Sequence, residues 1–482
     1  MTQGSRITTD VTSGTGEGSA ITIRAMDILL QDRFTKIGSD VRTSESSSGG
    51  DISIDARDIS VIDSAQISSA SFGAGDSGSL LINGQTLNLS DGGGISLFAF
   101  DADAGDAVIN IGSMVIDSGA YIFSNSIGSG DAGSVTVNAT SFEMSNGAEI
   151  FTDNAFDPSL GGAAGLITVN AANVTLDDAL ISAENNQDAA TGGAIAFNAQ
   201  RFTARNFTEI SVSKSAAGQG GIITVDAANI EISDGATLAS FSFFGATGLG
   251  GAVTLTGGDI VIDDAIVDSS TEGAADGGPI QLGGNVTVRN NATVTAQVFT
   301  GATGNGGDIL ITGTGLNIDG ASLTSRTDAF GDAGDIQLES MATTLQNAGQ
   351  IDTNTTSQAS GAGNAGQIIS SGLLAVQGTG SRLSSNTTGA GNGGELRIGA
   401  GLEITAGGGI DTSTTSTGNA GGILLSGSTV DATGSGSAIK STTSSVGNAG
   451  TITSTAGTVT ISSGAGIDTS TTDSGDAGTI LL

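Results

Sequence analysis

The chain holds 482 residues, 79 of them Gly and 2 Pro, with no Cys, His or Trp and a net charge of −35. Collagen is excluded, because its triple helix needs Gly at every third position, and without Cys there is neither disulfide nor thiolate chemistry. The balance of 49 acidic against 14 basic residues repels phosphate backbones, so nucleic acid is not an expected partner.

The opening MTQGSRITTD lacks the charged-then-apolar pattern of a signal peptide. No apolar run approaches the ~18 residues of a membrane helix. Absence of Cys suits a protein that crosses membranes unfolded. From there a short glycine turn recurs: GEGS at 16–19, GDSG at 75–78, GDAG at 130–133, GNGG at 304–307, GDAG at 331–334, GNAG at 363–366, GNGG at 391–394, GNAG at 447–450 and GDAG at 475–478. Alignment on this turn from 18 to 478 gives seventeen copies at a mean spacing of about 29 residues.

Each cassette reads alike. After the turn at Gly130, Val135-Thr136-Val137 alternates apolar and polar, and Phe142-Glu143-Met144 alternates again. A second turn at Ser145-Asn146-Gly147 leads to Ala148-Glu149-Ile150. Period-two alternation means strands. One coil of three strands cannot bury its apolar face, but stacked coils can. The expected fold is all-β: a right-handed parallel β-helix of about seventeen three-strand coils, forming one continuous domain over 1–482. With coils ~4.8 Å apart it would be a rod of roughly 80 Å. Ile150, Ile181, Ile210 and Leu238 should stack in one buried ladder. The segments GDAG, GNAG and GQGG are expected to use φ > 0, which Gly, Asn and Asp tolerate. Asn146-Gly147, Asp234-Gly235, Asp319-Gly320, Asp177-Asp178 and Asp263-Asp264 are expected to share one slot at the second corner.

The pattern G-[DN]-[AG]-G-x-[IVL]-x-[IVL], then V-x-[IL]-x-[DN]-G-A-x-[IL], is carried best by GDAGSVTVNATSFEMSNGAEI and GQGGIITVDAANIEISDGATL. It resembles the repeats of filamentous-haemagglutinin-like exoproteins, and the resemblance covers nearly the whole chain. It implies a secreted β-helix at the cell surface and, for the full-length protein, an N-terminal secretion domain recognised by an outer-membrane transporter. That domain is not recognisable here. The chain opens at Ile7 within a third strand and stops at Leu482 within a first, so it reads as an internal piece of a larger protein.

Four sets of residues invite a functional reading. The Asp of the GDAG turns reads as a turn former, with weak calcium binding as the alternative; the slot takes Asp, Asn, Glu or Gln. Asp177-Asp178 and Asp263-Asp264 read as corners, because adjacent strand residues point to opposite faces. The 14 Lys and Arg residues form no cluster with acids that general acid–base work would use. Thr327, Thr355, Thr387, Thr414, Thr443 and Thr471 form a Ser/Thr ladder with Ser325, Thr353, Ser385, Thr412, Ser441 and Thr469 two residues earlier. It lies on the face of the anchors Leu323, Ile351, Leu383, Ile410, Ile439 and Ile467. Stacked hydroxyls bonding one another are expected there, and an ice- or sugar-facing array is the alternative. Phe72, Phe100, Ile127, Phe243 and Phe299 occupy one slot after the third strand. They are either an outward partner-binding stripe or buried under a folded-over loop.

No catalytic, metal or cofactor site is expected. The leading function is a passive extracellular rod, an adhesin stalk or attachment module that meets cell-surface or matrix glycans or proteins. The rivals are a polysaccharide-acting β-helix enzyme, sought first in the irregular cassettes such as FTDNAFDPSLGGAAG from Phe151, and a glycan-binding module.

Overall fold

The computed structural model describes residues 1–42, 47–154, 162–185, 192–215, 217–356 and 363–482. The middle of FTDNAFDPSLGGAAG, residues 155–161, lies outside them. The chain forms two compact units, Met1–Ala239 and Ser240–Leu482. Each is a parallel β-solenoid, with about 16 turns in all and strands about 28 residues apart. Seventeen glycine corners bound sixteen intervals, so turn count and sequence period agree. Among the described residues there is no helix, and therefore none long and apolar enough to cross a membrane.

Among the described residues of the first unit the strand pairings are parallel, with like positions facing like apart from a one-residue shift between Ser145 and Ala148. Ile21 pairs with Ile52, and the row continues through Leu80, Ala107, Val135, Ile167, Ile195 and Ile223. Ile122, Ile150, Ile181, Ile210 and Leu238 form the third-strand row, all fully buried. In the second unit Leu323, Ile351, Leu383, Ile410 and Ile439 repeat it. Alternation has turned one apolar residue in two toward the core, and stacking has matched it with a like residue above and below.

The second corner is where the backbone goes left-handed. Asn146 and Gly147 have φ of 53° and 73°, and Asp234 and Gly235 have 54° and 80°. The double-Asp corners fit one residue out of the expected alignment. Asp177 pairs with Ser145, Asp178 alone takes the left-handed position at φ 55°, and Ala179 pairs with Ala148. Gly147 is thus the extra residue of a two-residue corner.

The glycine turns correct the expectation. In GDAG at 130–133 and 331–334 and in GNAG at 363–366 and 447–450 no residue has positive φ; in GQGG only Gly218 does. Glycine is needed there for a different reason. A Cβ on Gly394 would meet the carbonyl of Gly366 and the Ser385 hydroxyl at distances real Cβ atoms do not reach. Gly133 stands in the same relation to Gly105, Gly366 to Gly334 and Gly450 to Gly421. The coils close on each other at this corner more tightly than any side chain permits.

That contrast is testable. Gly394→Ala must push two coils apart and should cost at least ~2 kcal/mol, the scale of overpacking. Gly466→Ala, whose Cβ would meet nothing within 4 Å at an unstrained φ, should be neutral. Chemical denaturation with local hydrogen exchange reads both, and equal effects would mean that close approach is not why the corner is glycine.

Candidate functional site

Side-chain ladders lock the coils before any of them can serve a ligand. In the glycine turn the Asp or Asn oxygen accepts the backbone N–H of its counterpart one coil on. Asp103 takes Asp131 at 2.9 Å, Asp131 takes Ala163 at 2.7 Å, Asp332 takes Asn364 at 2.7 Å and Asn392 takes Asn419 at 2.9 Å. Asp and Asn interchange because the bond uses only the side-chain oxygen. A second ladder, absent from the sequence reading, runs Asn83, Asn110, Asn138, Asn170 and Asn198. Each amide donates to the preceding carbonyl oxygen at 2.8–2.9 Å. Its signal was the Asn that directly follows the second inward apolar position of the first strand, as in Val137-Asn138 and Val169-Asn170.

The hydroxyl ladder is inside, as its parity requires. Thr327, Thr355, Thr387, Thr414 and Thr443 are buried, Thr471 half-buried, and their backbones bridge coil to coil. Their burial removes the ice-facing alternative. The hydroxyls do not bond one another as expected. Thr327 accepts the N–H of Ala329 at 3.2 Å, Thr387 that of Gly389 at 3.1 Å and Thr414 that of Ser416 at 3.3 Å, each closing its own turn. Thr355 Oγ1 has no hydrogen-bond partner among the described residues. Two residues earlier, Ser385 donates to the Gly366 carbonyl at 2.6 Å and accepts the Gly394 N–H at 3.0 Å, so one hydroxyl ties successive glycine corners together. Ser325 and Ser441 do the same, whereas Thr412 donates to the Gly421 carbonyl at 2.8 Å.

The carboxylates at the second corner are clamped. Asp177 accepts Arg205 Nε at 2.9 Å and Asn206 Nδ2 at 2.6 Å from the next coil, and Asp263 accepts Arg289 Nε at 2.8 Å and Asn290 Nδ2 at 2.6 Å. The hydrogen bond from Asn206, with the Arg205 charge, holds the Asp177 carboxyl below the usual carboxylate range; Asn146 does this for Asp117. Such a group adds stability above its unfolded pKa and loses it as pH falls through the folded one.

Asp153 and Glu184 behave oppositely. They stand on adjacent coils on the outward side of the third strand, and burial pushes both carboxyls up. Asp153 Oδ1 accepts Ser182 Oγ at 2.7 Å and the Glu184 N–H at 2.7 Å, and Glu184 accepts the Ser211 hydroxyl. No group of three or more acidic side chains arranged for a metal ion occurs among the described residues.

The aromatic slot is placed as follows. Phe72, Phe100 and Phe243 are 49%, 45% and 44% exposed, and Ile127 and Phe299 are half-buried. Phe72, Phe100 and Ile127 follow the bridged row Ser71, Ala99 and Ser126 on successive coils. Phe72 has its ring 5.6 Å from Phe98, and on the neighbouring coils Tyr121, Phe123 and Phe151 stack at 4.3 and 5.2 Å. In the second unit Phe241 contacts Phe243 at 4.8 Å and Phe299 at 5.8 Å. Sequence reading passed over Phe98, Phe123 and Phe151, although they too lie at odd offsets from the anchor. It also missed a cluster of basic residues around an acid. Lys36 pairs with buried Asp40, Arg42 approaches Asp40 at 3.4 Å, and Arg6 and Arg33 line the same cleft.

Compared with family models, with curated proteins and with solved structures, the chain matches none.

The acid pair gives a prediction. An ionised carboxylate with a raised pKa destabilises the fold, and that penalty appears as pH rises through the ordinary value of 3.8 and persists above the folded pKa. Asn125 fills the same slot one coil earlier and its oxygen accepts the Asp153 N–H at 3.1 Å, so Asn is sterically at home there. Asp153→Asn should therefore raise Tm at pH 7, with the gain vanishing below pH 3.8. A lower Tm at pH 7 would mean that the charged form is held favourably.

Proposed function

We propose that the chain is a non-catalytic module of an extracellular surface protein, a stiff β-solenoid that spaces and presents a lateral binding face, as an adhesin stalk or attachment module does. The observation that carries this reading is the division of labour in each coil. Interior slots and both corners are committed to coil-to-coil ladders, while exposed aromatic side chains, Phe72 and Phe100 among them, gather on the outward side of the third strand. Exposed apolar groups gathered on one face mark a surface that meets a partner. The repeat's resemblance to filamentous-haemagglutinin-like exoproteins supports the same reading, and with it secretion of the full-length protein through an outer-membrane transporter.

A polysaccharide-acting enzyme is the second reading, favoured by one feature, the neighbouring Asp153 and Glu184 with raised pKa values. Against it, both carboxyls are engaged by serine hydroxyls of their own scaffold, and Asp153 also by the Glu184 N–H. Fold alone does not choose between the two.

The chain immobilised on beads should attach saturably to plates coated with cell-wall polysaccharide or matrix protein, and should release no reducing ends from a polysaccharide panel. Release that disappears in Glu184→Gln would replace the binding reading with the enzymatic one. Absence of attachment to every surface would remove the adhesive role.

A further inference from the structure

A cleft of about 600 Å³ runs along the outward third-strand face of the first unit. It crosses five coils, since its wall passes from Arg6 to Lys36 and Gln66, which pair in register, and on to Phe98 and Phe123. Coils stack at ~4.8 Å, so the cleft is long enough for several linked sugar rings.

Its chemistry is of two kinds. Phe34, Phe72, Phe98 and Phe123 supply aromatic faces, whose negative quadrupole attracts the C–H face of a pyranose. Phe34 is 63% exposed at φ 81°, a left-handed position that other corners of this unit fill with residues such as Ser64, Gly92 and Gly119. A bulky residue there is strained, and of the first unit's corners only Asn206-Phe207 repeats it. The second kind is charge. Among the described residues, four of the chain's 14 basic side chains line this one cleft, Arg6, Arg33, Lys36 and Arg42, with one acid, Asp40. Lys36 and Arg42 are engaged with Asp40, which also accepts Ser68 Oγ at 2.8 Å. Arg6 and Arg33 have no carboxylate partner among the described residues. Arg33 lies 5.2 Å over the Phe34 ring, a placement that orients its guanidinium. A guanidinium fork fits a carboxylate with two parallel hydrogen bonds. Asn125, whose oxygen holds the Asp153 N–H, adds an amide donor for a hydroxyl.

We infer that this cleft binds a uronate oligosaccharide, with sugar rings against the aromatic faces and carboxylates at Arg6 and Arg33. The inference rests on the surface-binding reading above and names the partner of that face.

The test is calorimetric titration of the full chain at 0.15 M salt with an oligogalacturonate and with a neutral oligosaccharide of equal length. The uronate should bind at least tenfold more tightly than the neutral sugar. Arg6→Gln with Arg33→Gln, both exposed and therefore harmless to folding, should remove that preference, as circular dichroism on the variant would confirm. Phe72→Ala with Phe98→Ala should weaken both sugars, and Phe243→Ser in the second unit should change neither. Equal affinity for the two sugars, or an unchanged preference in the double Arg variant, overturns the inference. Binding of no saccharide by a chain that still attaches to coated surfaces overturns it while leaving the adhesive reading in place; loss of both removes the two together.

Discussion

Parallel, in-register stacking sets each side chain beside its own counterpart, ~4.8 Å away along the sheet. Every slot must therefore hold a group that tolerates a copy of itself, and most of the repeat follows from that demand. Branched aliphatics satisfy it by packing, as in the row from Ile122 to Leu238. Asparagine satisfies it because its amide is donor on one side and acceptor on the other, which gives the ladder from Asn83 to Asn198. Stacked carboxylates repel. The second corner accordingly alternates, Asp117 meeting Ser145 and Asn146, and Asp177 meeting Arg205 and Asn206. Where acids do follow each other, as in Asp76, Asp103 and Asp131, each is exposed and turns an oxygen to the next backbone N–H.

The same demand explains what could be read from sequence. The apolar ladders were legible, because period two and the repeat spacing place them without knowledge of the third dimension; the ladder from Asn83 to Asn198 obeys the same spacing and was passed over. The glycine turns were legible in position and not in cause. Positive φ and close approach both select glycine, and only the backbone distinguishes Gly147, which is left-handed, from Gly394, which has no room for a Cβ. The hydroxyl ladder was placed correctly on the inner face by parity. Its bonding was missed because a Ser or Thr beside a tight turn finds a nearer partner in its own backbone than in the next hydroxyl. The cleft was the least legible feature. Arg6, Arg33 and Arg42 look scattered in a chain of this length, and only stacking brings them to one face.

The position of that cleft also qualifies what net charge implies. A chain at −35 repels anions as a whole, yet the range of that repulsion depends on salt. At 0.01 M the Debye length is ~30 Å and the acids of several neighbouring coils act on the cleft, whereas at 0.15 M it is ~8 Å and the cleft's own described lining, four cations and one acid, dominates. At 1 M, with a length of ~3 Å, the Arg–carboxylate attraction is itself screened. Affinity for an oligogalacturonate should therefore pass through a maximum between the lowest and highest salt, unlike an ordinary basic site, whose affinity only falls. Titrations across this range would distinguish the two. A steady decline from 0.01 M would mean that the cleft is electrostatically isolated from the rest of its own chain, and that the acidic excess has no part in choosing its ligand.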